Sequence, residues 1–243
     1  MALVFRKSYT VNDNATDRYD RLKPSMILFF AQDAATSHCA ELGLDWDTMA
    51  ARGQFWAITR TKVEILRLPH HGETVTVETW PMKTTRVAYP RAMAMYDDRG
   101  ELLLRSVSLW VVMDMEKRTM ILPGKAGVEV DGQDLGTELK PPMGIPPREG
   151  DCRFNRRVAY TDLDINGHLN NARYLDWVED LSDSDFHRSC DLREMTVVYL
   201  SEAREGQELE LDRIWNEEDK TLQTEFRRAG ERVFAAKLKY DIM

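Results

Sequence analysis

"PSMILFFAQDAATSHCAELG", residues 24–43, is the stretch that decides the fold of this chain. Its apolar side chains recur every three or four residues, which is typical of an amphipathic helix. Pro24 suits a first helical turn and Gly43 suits a helix end. Strand-like runs follow at 55–68, 74–80, 87–96 and 102–113. A helix with one apolar stripe, followed by an antiparallel meander, predicts a sheet that curls around that helix.

The same order of elements occurs again nearer the C-terminus. "NRRVAYT" (155–161) echoes "FRKSYT" (5–10), and each precedes a polar loop and a helix-like run. In the second helix the apolar stripe consists of Tyr174, Leu175, Val178 and Leu181. Strand-like runs then lie at 195–200, 208–215, 222–228 and 233–240. We therefore predict an α+β fold, a tandem or double hotdog, in which antiparallel sheets each wrap around a long helix.

A segment rich in proline and glycine separates the two repeats. Residues 123–150 hold five of the nine prolines and six of the thirteen glycines. Proline removes backbone donors and glycine raises the entropic cost of ordering, so this segment is typical of a linker. The predicted organisation is an N-terminal repeat at 1–122, a linker at 123–150 and a C-terminal repeat at 151–243.

Composition excludes several classes of function. Hydrophobic residues make up 43% and charged residues 30%, which is ordinary for a soluble globular protein. The net charge of −8 argues against binding to nucleic acid, and no apolar run is long enough to span a membrane. The N-terminus does not resemble a secretory signal. The three cysteines have no C-x-x-C spacing, so we expect a cytoplasmic protein with no metal and no cofactor.

A polar motif stands ahead of the second helix, in "TDLDINGHLNNARY" (161–174). In an extended segment alternate side chains point to one side, so Asp164, Asn166 and His168 are expected to share a face. A carboxylate, a carboxamide and an imidazole on one face are suited to proton transfer and to orienting a reactant. The alternative is that these residues only form turns and caps, as such residues often do before a helix. The residues themselves leave both interpretations open.

The start of that helix is expected to add an electrophilic surface. Asn170 or Asn171 suits the N-cap of a helix that begins near Ala172. Free amide groups and the helix dipole at such a position favour negative charge. A carbonyl that becomes an oxyanion would be stabilised there.

The segment "DLDINGHLNNARYLDWVED" closely resembles the active-site segment of the acyl-ACP thioesterases, enzymes that release fatty acids from acyl carrier protein (ACP). That family's pattern D-x-N-x-H-x-N-N is matched by Asp164, Asn166, His168, Asn170 and Asn171.

The first repeat resembles the same family. "FWAITRTKVEILRLPHHGETVTVETW" (55–80) is similar to the family's W-x-x-x-R…P…G-x-x-V-x-V-x-T-W stretch. The resemblance therefore spans most of the chain outside the linker. It implies a double-hotdog fold, in agreement with the repeat found from the pattern of elements.

A later family segment of the form L-E-Y-R-R-E-C corresponds to "VVYLSEA" (197–203). This match implies that Glu202 joins the trio of Asp164, Asn166 and His168 as a catalytic residue. The family's cysteine position is occupied here by an alanine, so a thiol nucleophile is excluded and hydrolysis should proceed by attack of water. Which of the two carboxylates or the imidazole is the general base stays open.

The resemblance implies a thioester hydrolase that releases free fatty acid from acyl-ACP. One alternative is an acyl-CoA thioesterase on the same fold, and another is a non-catalytic protein that binds acyl thioesters. The expected partner is accordingly ACP that carries an acyl-phosphopantetheine group, or acyl-CoA. The acyl chain length and the choice of carrier stay open.

The first repeat carries no D-x-N-x-H motif, only "TVNDNATDRY" (10–19), whose polar residues are typical of a loop. We therefore expect the second repeat to carry the chemistry and the first to supply the wall of an acyl pocket. Met26 and Phe30, in the first helix, are the candidate substrate-binding residues. Exposed sheet edges would allow a homodimer.

Overall fold

The computed structural model describes residues 3–148, 150 and 152–242, with only the backbone of Cys152 and Arg153. The chain divides into two compact units. The first unit holds the residues up to Leu22 together with Phe29–Pro142, and the second holds Lys23–Leu28 together with the residues from Met143 onward. Among the described residues, no helix has both the length and the apolar character that crossing a bilayer requires.

The first unit follows the predicted order of a strand, a helix and a meander. Its elements are β1 (Phe5–Thr10), α1 (Pro24–Glu41, whose first turn is grouped with the second unit), α2 (Trp46–Ala51), β2 (Gln54–Ile65), β3 (Thr74–Pro81), β4 (Tyr89–Tyr96), β5 (Leu102–Asp114), β6 (Met120–Ile121) and α3 (Pro123–Ala126). The strands are antiparallel in the order β1-β3-β4-β5-β2, and the short β6 pairs with β5.

Helix α1 is buried along the stripe that its sequence predicts. Ile27, Phe30, Ala34 and Ala35 are buried, whereas Phe29 is 51% exposed. This burial follows from the 3.6-residue period, which brings the apolar positions to one side of the helix.

Two contacts place α1 against β1. The ring of Phe30 stacks on Tyr9 with 4.4 Å between their centroids. Next to this stack, the ammonium group of Lys7 lies 2.7 Å from a carboxylate oxygen of Asp33. The helix therefore lies on the sheet of its own unit, as the pattern predicts.

The second unit repeats the arrangement with shorter helices. Its elements are β7 (Cys152–Arg157), α4 (Arg173–Glu179), α5 (Ser184–Ser189), β8 (Cys190–Tyr199), β9 (Glu208–Asn216), β10 (Thr221–Arg228) and β11 (Glu231–Ile242). The strands are antiparallel in the order β8-β11-β10-β9-β7. The α+β architecture of antiparallel sheets with few helices is thus confirmed.

The second helix is shorter than the first, so the prediction of a long helix in each repeat holds only for α1. Helix α4 has seven residues, whereas α1 has eighteen. The run "LSDSD" (181–185) explains this difference, because serine and aspartate favour caps over helix interiors. Asp183 is the N-cap of α5, and its side chain accepts a hydrogen bond from the N–H of Phe186 at 2.8 Å.

Part of the proline-rich segment is hydrogen-bonded to strands of the second unit. The division between the compact units falls at Pro142 and Met143, inside the predicted linker. On the second unit, the backbone carbonyl of Pro146 accepts a hydrogen bond from Gln223 at 3.0 Å, and that of Ile145 accepts one from Arg232 at 2.9 Å. Side chains of the sheet thus satisfy backbone groups that have no strand partner.

Candidate active site

A tight turn, rather than an extended segment, stands ahead of α4. The backbone N–H of Asp164 donates to the carbonyl of His168 at 2.8 Å, and the N–H of Gly167 donates to the carbonyl of Asp164 at 3.0 Å. Gly167 has a φ of +71°, in the left-handed region that glycine adopts without strain. The expectation that alternate side chains share one face of an extended segment is therefore wrong.

The carboxylate of Asp164 holds this turn together. Its Oδ1 accepts hydrogen bonds from the backbone N–H of Asn166 at 2.8 Å and of His168 at 3.3 Å. A carboxylate that bonds the backbone two residues further on is the usual Asx turn. The turn leaves Asn166 exposed to solvent, and among the described residues its carboxamide has no hydrogen-bond partner.

Pairing of the backbone brings His168 to Glu202. His168 forms an antiparallel bridge with Arg204, and the N–H of Leu169 donates to the carbonyl of Ala203 at 2.8 Å. As a result, Nε2 of His168 lies 3.0 Å from Oε2 of Glu202. The imidazole is 13% exposed and the carboxylate 37%, so the pair lies at the surface with the imidazole largely covered.

Two arginines hold Glu202 in position. The Arg228 guanidinium donates to the backbone carbonyl of Glu202 at 2.8 Å and to Oε1 of Gln207 at 3.0 Å. The guanidinium of Arg204 lies 3.6 Å from the same carboxylate oxygen that meets His168. The Glu202 carboxylate therefore contacts the His168 imidazole and lies near the exposed Arg204 guanidinium, while the Glu202 backbone carbonyl is bonded to Arg228.

Tyr174, predicted only as part of an apolar stripe, is buried within reach of the charges of Glu202 and Asp164. It is 2% exposed and its ring stacks on Phe234 with 4.6 Å between the centroids. Burial raises the pKa of Tyr174; the Glu202 and Asp164 carboxylates raise it further, and Arg228 opposes them. The phenol therefore stays neutral at neutral pH. A hydroxyl within an otherwise apolar stripe is the signal that could have identified it.

The start of α4 differs from the prediction. Ala172 occupies the N-cap position, whereas Asn170 or Asn171 was expected. Asn170 still accepts hydrogen bonds at the start of the helix. Its side-chain Oδ1 accepts from the N–H of Ala172 at 2.9 Å, and its backbone carbonyl accepts from the N–H of Arg173 at 2.9 Å. Two of the amide groups expected to stabilise an oxyanion are therefore already engaged.

The remaining predicted residues lie in ordinary packing environments. Met26 is half-buried in the first turn of α1, and Phe30 is buried against Tyr9. Ala203, at the position where the resembled family has cysteine, is fully buried. Contact of Met26 and Phe30 with an acyl chain stays a prediction. Among the described residues, no group of three or more His, Cys, Asp or Glu side chains could hold a metal ion.

Sequence comparisons point to one family over most of the chain. Residues 2–122 match the profile of the acyl-ACP thioesterase N-terminal domain, and residues 148–241 match that of the C-terminal domain. A chloroplastic acyl-[acyl-carrier-protein] hydrolase from Cuphea viscosissima is 26% identical over 85% of this chain and 53% of its own length. A dodecanoyl-[acyl-carrier-protein] hydrolase from Cinnamomum camphora is 26% identical over 82% of this chain and 56% of its own length. The chain thus spans about half the length of these curated relatives.

Structural comparisons agree on the fold. An acyl-ACP thioesterase from Bacteroides thetaiotaomicron superposes with a TM-score of 0.87 at 22% identity, over 98% of each chain. The 12:0-ACP thioesterase from Umbellularia californica superposes with a TM-score of 0.85 at 22% identity, over 100% of this chain and 99% of the other. At this level of identity the likeness establishes the shared hotdog fold.

Proposed function

Because the chain belongs to the acyl-ACP thioesterase family, we propose that it hydrolyses the thioester bond of acyl-ACP and releases the free fatty acid. The observation that carries this proposal is the 3.0 Å contact between Nε2 of His168 and Oε2 of Glu202. An imidazole held by a carboxylate is a general base suited to neutral pH.

The reaction then runs by attack of water. The water oxygen bonds to the thioester carbonyl carbon while the His168 imidazole takes the proton, and Glu202 stabilises the resulting imidazolium. The tetrahedral intermediate collapses with cleavage of the carbon–sulfur bond. The proton passes from His168 to the leaving thiolate, so the products are a fatty acid and the free thiol of the carrier. Glu202 keeps its charge throughout, as the orienting carboxylate does in a catalytic triad.

The other two residues of the motif have different parts in this proposal. Asp164 shapes the turn, since its Oδ1 already accepts two backbone hydrogen bonds. Asn166 is exposed, two residues before His168, and would orient the water or the thioester carbonyl through its carboxamide.

The carrier is the second element of the proposal. The curated relatives from Cuphea viscosissima and Cinnamomum camphora are named as hydrolases of acyl-[acyl-carrier-protein]. We assign ACP as the partner of this chain on that basis. The cytoplasmic location stays a prediction from the sequence. A homodimer formed through sheet edges stays a prediction.

A release assay tests the activity and the carrier together. The purified protein is given matched acyl chains on ACP and on CoA, and the free fatty acid is quantified over a series of chain lengths. We expect release from both carriers, with a higher kcat/KM for acyl-ACP. A higher kcat/KM for acyl-CoA would replace the carrier assignment, and the absence of release from either carrier would leave a non-catalytic acyl-thioester-binding protein.

A further inference from the structure

An open pocket of about 310 Å³ lies on the second unit. Its lining consists of Arg157, Val158, Ala159, Tyr160, Glu205 and Gly206. The volume is at the lower end of the range that small-molecule sites occupy. None of the six residues belongs to the machinery proposed for hydrolysis.

The pocket is joined to the catalytic pair through one turn. The N–H of Gln207 donates to the carbonyl of Arg204 at 3.1 Å, and Gly206 within this turn has a φ of +79°. The N–H of Gly206 donates to the carbonyl of Val158 at 2.9 Å, which fastens the turn to the opposite wall. The first residue of the same turn, Arg204, is the one whose backbone bridges to His168. The pocket and the catalytic pair are therefore connected through the backbone of residues 204–206.

Arg157 gives the pocket its charge. Its guanidinium lies over Gly206, with the Nη2 atom 3.5 Å from the point where a Cβ would stand at that glycine. Within the described part of the chain Arg157 forms no ion pair. The planar group of donors of its guanidinium suits a phosphate.

The first repeat shows that the pocket is not a by-product of the turn. There the N–H of Gly72 donates to the carbonyl of Val11 at 2.8 Å, the counterpart of the bond between Gly206 and Val158. At the positions of Glu205 and Tyr160, however, the first repeat has His71 and Asp13. Nε2 of His71 lies 2.6 Å from Oδ1 of Asp13, so the two side chains bridge the place that stays open in the second repeat.

We propose that this pocket binds the phosphate end of the pantetheine arm that carries the acyl group. Arg157 would pair with the phosphate. Glu205 would accept a hydrogen bond from a hydroxyl or amide group of the arm, and the ring of Tyr160 with the neighbouring alkyl groups would cover its methyl groups. A ligand that has both an anionic end and N–H or O–H donors suits a lining with one cation and one carboxylate. This inference rests on the proposed function, and both acyl-ACP and acyl-CoA supply the same arm.

The test compares substrates with and without the phosphate. One acyl chain is presented as acyl-ACP, as acyl-CoA and as acyl-pantetheine, which lacks the phosphate. The wild type, Arg157→Ala and a control variant, Arg188→Ala, are assayed with each. The control removes an exposed arginine on α5 that pairs with Asp185, so it lowers the charge equally. For Arg157→Ala we expect kcat/KM to fall about tenfold to a hundredfold with acyl-ACP and acyl-CoA, mostly through KM. The fall with acyl-pantetheine should be much smaller.

Each other outcome has a definite meaning. An equal fall with all three substrates, or no fall with any, would overturn the assignment of a phosphate site. A fall with acyl-ACP alone would also overturn it, because Arg157 would then contact the carrier protein rather than the shared arm. If the wild type hydrolyses none of the three substrates, the proposed function itself is wrong, and that result is distinguishable from failure of the pocket alone.

Discussion

The turns that precede the helices of the two repeats are built alike. In the first repeat the N–H of Asp17 donates to the carbonyl of Arg21 at 2.8 Å, and Oδ1 of Asp17 accepts from the N–H groups of Tyr19 at 2.8 Å and Arg21 at 3.0 Å. Asp164 makes the corresponding bonds in the second repeat. Even the left-handed position recurs, because Asp20 has a φ of +65° where the second repeat has glycine.

The two turns differ in the side chains that they present. At the position of His168 the first repeat has Arg21, whose guanidinium pairs with Asp17 of its own turn at 2.9 Å. The backbone pairing is the same, because the N–H of Leu22 donates to the carbonyl of Pro69 at 2.8 Å. The residue before that proline is Leu68, so no carboxylate stands where Glu202 stands. The backbone of the turn is therefore common to both repeats. Only the second repeat adds the imidazole of His168 and the carboxylate of Glu202, which make it the candidate active site.

The largest expected effect comes from removing either member of the pair. His168→Ala and Glu202→Ala should each lower kcat/KM for acyl-ACP by roughly a hundredfold to ten-thousandfold, since general base catalysis contributes about that much. Glu202→Gln keeps a hydrogen-bond acceptor but loses the charge, so it should retain little activity. Steady-state release of fatty acid measures the effect.

The first repeat provides the matched control for this prediction. Arg21→Ala alters the position that corresponds to His168 and should change kcat/KM by less than about threefold. Far-UV circular dichroism and the melting temperature check that all the variants are folded. Full activity of Glu202→Ala would contradict the assignment and return Asp164 to consideration as the base.

A smaller effect is expected at the aspartates that hold the two turns. Asp164→Ala and Asp17→Ala each remove an acceptor of two backbone N–H groups, so each should lower the free energy of unfolding by about 1 kcal/mol. Asp164→Asn keeps the acceptor and should preserve most of both stability and turnover. Urea unfolding and the release assay measure the two quantities. If Asp164→Asn abolished turnover while stability stayed unchanged, Asp164 would act in the chemistry rather than in the turn.

The smallest expected effects are opposite pH dependences of two aspartates, one in each repeat. Burial alone would raise the pKa of Asp33, but hydrogen bonds from Lys7 and Tyr9 outweigh it and lower the pKa. Burial raises the pKa of Asp212; the hydrogen bond from the Glu225 backbone N–H opposes this rise, and the charge of the Glu225 carboxylate adds to it. The contribution of Asp33 to stability is therefore present above its ordinary pKa and lost as the pH falls through the lowered value. That of Asp212 is present below its ordinary pKa and lost as the pH rises through the raised value.

Melting temperatures between pH 3 and pH 8 can separate the two cases. Asp33→Asn should lower the melting temperature near neutral pH, and the difference from the wild type should shrink as the solution is acidified. Asp212→Asn should raise the melting temperature near neutral pH, because the cost of a buried charge is removed, and this gain should shrink toward acid. A loss for Asp212→Asn near neutral pH that shrinks toward acid would instead mean that nearby arginines outweigh that cost.

Periodic patterns predicted the elements well. The stripe in α1 and the alternation along β3 depend on contacts along one element, so the residues themselves carry the information. The predicted apolar stripe of α4 runs to Leu181, but the helix ends at Glu179. The serine and aspartate residues at 182–185 favour caps over a helix interior, and they end the helix although the apolar period continues. The turn before it was mistaken for an extended segment, because a period of two says nothing about a carboxylate that folds back on its own backbone.

The sequence by itself determined the two repeats, their strands and helices, and, through the family resemblance, the identity of the residues on which chemistry is proposed. Only the tertiary structure decided that His168 meets Glu202, that Asp164 is occupied by its own turn and that a pocket opens beside Arg157. The reason is physical. Side-chain spacing along a chain sets local dihedral angles and burial, whereas a contact between distant segments depends on which backbones pair, here those of His168 and Arg204.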